Sequence, residues 1–174
     1  MKKQIDVFEY AGRICKQMSK GILLTTKVDD YVNTMTIGWG TLGIEWGKKL
    51  FVAYVRESRF TREMIDKTGE FTINIPLENI DREITRYCGS KSGRNTDKVQ
   101  DLKLTLVESD VIGVPGVKEL PITLECRVMY SHMQNANELP EASIERYYPI
   151  EENGMRDNHI AYYAEIVNAY LITD

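Results

Sequence analysis

Residues 33–47, NTMTIGWGTLGIEWG, decide the fold. Gly38, Gly40 and Gly43 spell G-x-G-x-x-G. That pattern marks a dinucleotide-binding turn only when a strand precedes it and a helix comes after, so that the helix N-terminus faces the pyrophosphate. Residues 33–40 do read as extended chain. Gly43, however, leads into Ile44-Glu45-Trp46-Gly47 and then KLFVAYV (49–55), which is β-rich and apolar on both faces. No helical pattern intervenes, so the glycines belong to a tight turn or a bulged strand. A nicotinamide nucleotide, if the protein uses one, has no doubly wound domain to hold it.

The flanking sequence supports a sheet of mostly antiparallel strands. GILLTT (21–26) reads as a buried strand, and Asp29 and Asp30 mark a turn. EFTINIP (70–76) places Phe71, Ile73 and Ile75 on one face. LKLTLVE (102–108) and ITLECRVMY (122–130) alternate in the same way, and HIAYYAEIVNAYLI (159–172) is long and apolar on both sides. Helical spacing appears at 7–18, at 58–68 with Ser58 as N-cap and Gly69 past the end, and at 78–88. Residues 89–98 read as a polar loop. Residues 131–158 are irregular and predict a lid or a dimer arm. The sum is a mainly β chain: a closed or partly closed antiparallel barrel with short peripheral helices, built as one domain over 1–174. The long final strand is apolar enough to predict a homodimer.

Composition narrows the function. The 174 residues carry 22 Lys and Arg against 26 Asp and Glu, a formal charge of −4, so there is no general field for nucleic acid. No apolar run is long enough to span a bilayer, and Asp6, Glu9 and Arg13 interrupt any signal-peptide core, which predicts a cytoplasmic protein. Cys15, Cys88 and Cys126 are odd in number and widely spaced, which argues against a disulfide framework or a Cys-based metal site and for buried or half-buried structural thiols.

Three stretches carry chemistry. In Arg56-Glu57-Ser58-Arg59-Phe60-Thr61-Arg62, at a strand-to-helix junction, Arg59 and Arg62 oppose the helix dipole. An anion there would turn that conflict into a binding site, with Ser58 and Thr61 hydroxyls and Arg56 or Arg59 around a phosphate; solvated arginines beside an ordinary cap are the other reading. In residues 89–98, GSKSGRNTDK, glycines allow close backbone approach, hydroxyls donate, and cations neutralise charge. In residues 33–39, alternation puts Asn33, Met35 and Ile37 on one face and Thr34 and Thr36 on the other. There an Asn amide matches the polar edge of a heterocycle and Trp39 offers an apolar wall; a core strand with a structural Trp is the alternative. His132 and His159 have no diagnostic neighbourhood, and no nucleophile–base pair stands out, so any chemistry falls to a cofactor.

GILLTT, NTMTIGWGTLG, VRESRFT, GEFTINIP, CGSKSGRNTDKV, LPITLECRV and HIAYYAEIV together resemble the flavin reductase-like, FMN-binding split-barrel family, in particular its flavoredoxin-type members. The resemblance covers nearly the whole chain. It implies a dimeric Greek-key split β-barrel with FMN in a groove near the dimer interface. By motif, Asn33, Thr34, Met35, Thr36 and Trp39 would line the isoalloxazine and ribityl chain. Arg56, Ser58, Arg59 and Thr61 would meet the phosphate, and Ser92, Gly93, Arg94 and Lys98 would close over phosphate or flavin. The implied activity is an NAD(P)H-dependent flavin reductase, with NADH or NADPH as donor and free flavin, oxygen or a redox or monooxygenase partner as acceptor. A flavoredoxin-like electron carrier without its own nicotinamide activity is the nearest rival. A β-barrel binding module without redox work is a third reading, disfavoured by the acidic balance.

Overall fold

A computed structural model describes residues 1–78 and 81–173. Of the expected helix over 78–88, residues 79 and 80 lie outside the described residues; the helix found is α3 (Arg82–Ser90), capped by Asp81, whose carboxylate accepts from Glu83 N at 2.8 Å. The other helices are α1 (Ala11–Met18), α2 (Phe60–Thr68), α4 (Lys98–Asp101) and α5 (Glu141–Tyr147). Gly69 ends α2 with φ +67°, in the left-handed region where glycine is least strained. Its N–H donates to Ile65 O at 2.7 Å.

The strands are β1 (Lys2–Gln4), β2 (Ile22–Val28), β3 (Tyr31–Ile37), β4 (Gly40–Glu45), β5 (Lys48–Arg56), β6 (Glu70–Ile75), β7 (Leu106–Val107), β8 (Gly116–Val117), β9 (Ile122–Met133) and β10 (His159–Ile172). The main sheet runs β3-β2-β6-β9-β10-β5-β4, with β1 added on β10, and every ladder is antiparallel. Gly38 and Trp39 lead straight from β3 into β4, yet among the described residues no ladder joins those two strands. The expected barrel is therefore not closed. Its seam lies at the Gly38–Trp39 link, where strand β4 replaces the helix that a dinucleotide fingerprint would need.

Period-two alternation makes the core. Phe71, Ile73 and Ile75 of β6 pack with Leu24, Phe51, Leu124 and Tyr162. The opposite face is buried too. Thr72 donates to Pro115 O at 2.8 Å, and Val117 N donates to Asn74 Oδ1 at 2.9 Å. This polar face is roofed by residues 104–120, with Leu104, Val117 and Leu120 packed on Leu23 and Cys88. That roof explains a misread segment. The alternation of 102–108 reflects half-buried cover; only Leu106 and Val107 pair, with β8, and the main sheet does not include them.

Strand β9 runs on to Met133, three residues past its expected end, before α5 begins the stretch over the seam. Strand β10 pairs β9 along most of its length, β5 through His159–Glu165 and β1 through Tyr170–Ile172. Register shifts at Tyr163/Ala164 and Ile166/Asn168 bend it between these neighbours. No residue of β10 is exposed in the single chain. The apolarity of this strand is thus satisfied internally and does not by itself demand a partner subunit. Cys88 and Cys126 are buried as expected, whereas Cys15 is exposed on α1.

Candidate functional site

The groove lies along the open seam, in two cavities that share Met35, Thr36 and Arg59. Because β3 is an edge strand, both of its faces reach the groove. The first cavity, about 140 Å³, is where the α2 junction meets the 89–98 segment. Met35, Thr36, Ser58, Arg59, Thr61, Ser92, Gly93, Arg94 and Lys98, nine of the thirteen residues expected at the site, line it. Residues 35–36, 58–61 and 92–98 are far apart in sequence, and the fold brings lining residues from each together.

Lys98 is the most informative member. The carboxylate of Asp97 accepts from Gln100 N at 3.0 Å and starts α4, with Lys98 as its first residue. The Lys98 side chain is only 3% exposed, so it is no part of a solvated loop. Its Nζ donates to Cys88 O at 3.4 Å, and among the described residues no carboxylate pairs with it. Burial pulls its pKa below the usual lysine value, and the neighbouring Arg59 adds to that. Arg59 takes the N-cap position of α2 with extended backbone (φ −74°, ψ 134°), and no side chain caps that helix. A buried cation, a second cation and an uncapped helix start converge on one small cavity. An anion is what this donor set lacks.

Several expected ligands are already committed elsewhere. Ser58 is not the N-cap of α2: its N–H and hydroxyl both donate to the Asp157 carboxylate, at 3.0 and 2.7 Å. Arg56 does not reach the first cavity. It donates to Asp157 O at 2.6 Å and Tyr147 O at 2.8 Å, and so pins the 141–158 segment across the seam. Arg94 pairs with Glu63, donates to Ser58 O and lies 5.4 Å over the Phe60 ring. Thr34 is fully buried, its hydroxyl shared with Thr25 Oγ1 and Leu24 O, and does not face the groove. Asn33 is 2% exposed and donates to Thr61 Oγ1 at 2.9 Å. Its amide therefore stands behind the first cavity, with Oδ1 turned toward Gly93; that oxygen is buried and has no hydrogen-bond partner among the described residues.

The second cavity, about 210 Å³, is lined by Trp39, Tyr54, Arg56, Tyr147 and His159 as well as the shared residues. Trp39 is 41% exposed and meets Tyr147 edge-on at 5.0 Å and His159 at 5.0 Å. His159 faces Arg56 across the β5–β10 ladder. Burial, then Arg56, lowers its pKa to about 4, against the opposing pull of Asp157. The ring is neutral at pH 7. Tyr148 Oη lies 2.8 Å from His159 Nδ1 and donates to Gln134 Oε1 at 3.2 Å. The phenol has one proton for two neighbours, so the chain is complete when Nδ1 carries a proton and donates to Tyr148. Sequence reasoning named His159 but set it aside for want of a diagnostic neighbourhood, and it did not single out Tyr54, Tyr147 or Tyr148. The Tyr147-Tyr148 doublet was visible, but only the β10 register and the Arg56 staple bring these side chains to Trp39.

The chain belongs to the flavin reductase like domain family, whose profile matches residues 16–173. An uncharacterised protein of Archaeoglobus fulgidus is 34% identical over 97 residues, 56% of this chain and 54% of that protein. The chain spans about half the length of the curated relatives it matches. Flavoredoxin from Methanosarcina acetivorans superposes with a TM-score of 0.65 at 26% identity, over 87% of this chain and 68% of that one. An FMN-binding domain of a flavin reductases-like enzyme from Shewanella baltica OS155 shares the fold, with a TM-score of 0.63 at 18% identity over 98% and 77% of the two chains. Among the described residues no helix is long and apolar enough to cross a membrane.

Proposed function

We propose that the protein is an FMN-binding oxidoreductase of the NAD(P)H:flavin reductase type. The observation that carries this reading is the buried Lys98, without a carboxylate partner among the described residues, beside Arg59 in a cavity that shares Met35, Thr36 and Arg59 with the Trp39–Tyr147–His159 cavity. One ligand satisfies both halves: an anionic phosphate at one end and a flat ring with a polar edge at the other. Arg59 and Lys98 would hold the phosphate, with Thr61 and Ser92 hydroxyls beside it. Met35, Thr36 and Trp39 would flank the ring, and Arg56 would keep Tyr147 over the seam. Bound flavin would supply two-electron chemistry, taking a hydride from NADH or NADPH and passing electrons to free flavin, oxygen or a redox or monooxygenase partner. The neutral His159 adds no full charge beside the ring, while the Arg56 guanidinium does.

The flavoredoxin similarity favours a second reading, an electron carrier that receives its electrons from another protein. Anaerobic mixing of the FMN-loaded chain with NADH and with NADPH separates the two. Bleaching of the flavin absorbance within seconds supports the reductase. An unchanged spectrum with both nucleotides, in protein that holds FMN, leaves the carrier. The assembly proposed is a homodimer, supported by exposed apolar residues on β9, with Tyr130 48% and Met133 46% exposed.

A further inference from the structure

Trp39, Tyr54 and Tyr147 line not only the ring cavity but also a further pocket of about 480 Å³ on the α1 side of the seam. Its walls are set by Met18 of α1, Leu139, and Tyr148 at the end of α5. None of the residues lining it is charged. The contrast with the first cavity, where Arg59, Lys91, Arg94 and Lys98 converge, is sharp. A dinucleotide's phosphates buried among uncharged walls would leave their charge uncompensated, which is prohibitive. The pocket's volume is that of a small-molecule site.

Its polar groups are neutral, and among the described residues several have no partner. Gln134 Oε1 accepts from Tyr148, while no hydrogen bond engages the Gln134 amide N–H₂. Tyr147 Oη and Ser143 Oγ are likewise without a partner there. Aromatic walls with a few unspent neutral donors select a flat, uncharged molecule bearing carbonyl oxygens. We infer that this pocket binds an uncharged quinone-type aromatic carbonyl compound, next to the ring cavity. That such a molecule would be the electron acceptor rests on the redox reading above; that it binds does not.

Two built-in reporters test this. Cys15 lines the pocket and is exposed, whereas Cys88 and Cys126 are buried, with thiols that burial pushes up, Cys88 to about 11. Cys15 is therefore the thiol that iodoacetamide should alkylate. The chain has two tryptophans, so Trp46→Phe leaves Trp39 as sole fluorophore. Duroquinone, whose methyl groups block thiol addition, is the probe, and anthraquinone-2-sulfonate is the charged comparison. In FMN-free Trp46→Phe, duroquinone should quench Trp39 saturably. In both FMN-free and FMN-loaded protein it should slow Cys15 alkylation, followed by peptide mass, by about tenfold, and Leu139→Asp should weaken its binding by about tenfold or more while FMN still binds. The inference falls if FMN-binding protein shows neither quench nor protection, if the sulfonate binds as tightly, or if FMN abolishes the protection, which would place duroquinone in the ring cavity. If duroquinone binds and protects but FMN does not bind, the pocket stands and the redox reading fails.

Discussion

Lys98 Nζ lies 3.4 Å from the Cys88 carbonyl oxygen and has no carboxylate partner among the described residues, although the side chain is 3% exposed. A buried cation satisfied only by a carbonyl is poorly compensated. Its persistence at the groove is the main reason to place an anion there.

Removing this cation should cost ligand affinity more than stability. A charge-assisted contact to a phosphate contributes roughly 1.5–3 kcal/mol, so Lys98→Met and Arg59→Ala should each weaken FMN by about tenfold to a hundredfold. Riboflavin, which lacks the phosphate, should be weakened much less. Arg62→Ala is the control, because its guanidinium is already spent on Glu57 O and Asp66. Titration of both flavins into the three variants decides it. Equal losses for FMN and riboflavin in Lys98→Met would move Lys98 from the phosphate to the ring.

Gly93 is required for packing. A β-carbon there would stand 2.2 Å from Asn33 Oδ1 and 3.0 Å from Phe60 Cδ1, and both neighbours are held, Asn33 by its bond to Thr61. Gly93→Ala should therefore force the loop off β3, lowering stability by about 1–3 kcal/mol and weakening FMN. Gly43→Ala meets nothing within 4 Å and should be nearly silent. Urea unfolding of the two variants checks the contrast; equal midpoints would refute it.

How much of this was legible in the sequence differs between strand and seam. Alternation at 70–76 and 122–130 located β6 and β9 because one face of each meets a continuous core. The reading of Gly38, Gly40 and Gly43 as part of an extended stretch matches β4, which runs through Gly43 and leads into β5 where a dinucleotide turn would need a helix. The same alternation misled at 102–108, because a roof packed on a polar strand face shows the periodicity of a strand without joining the sheet. At the site, hydroxyls and cations near two loop junctions were readable, since a local excess of donors is a property of sequence. Which donors remain free was not. Ser58 and Arg56 are taken by Asp157 and Tyr147, about a hundred residues further along, and only tertiary pairing sets those contacts.

The homodimer expectation now rests on β9. Tyr130 meets Tyr163 at 5.4 Å with the rings tilted by 47°, and it stays half exposed. If that surface is an interface, light scattering should give twice the chain mass at micromolar concentration, and Tyr130→Asp should shift it toward the monomer. A monomer that retains FMN would count against it.

Acid should loosen the seam through His159. This ring is held neutral: burial and then Arg56 bring its pKa from 6.5 to about 4, with Arg59 acting the same way and Asp157 opposing. The folded state therefore binds fewer protons at this site than the unfolded chain does between those values. Its contribution to stability is fully present above about pH 6.5 and is lost as pH falls through about 4. Protonation would also set an imidazolium against Arg56, whose guanidinium holds the 141–158 segment to the seam. His159→Gln keeps a neutral polar side chain beside Tyr148 and removes the titration. Carboxylates titrate in the lower part of the window in both proteins, so the difference between the two profiles isolates the histidine. Urea midpoints taken from pH 7 to pH 4 should fall more steeply for the unmodified chain than for His159→Gln. Parallel profiles would show that His159 is not held neutral by its burial, and the electrostatic account of the ring cavity would have to be rebuilt around Arg56 alone.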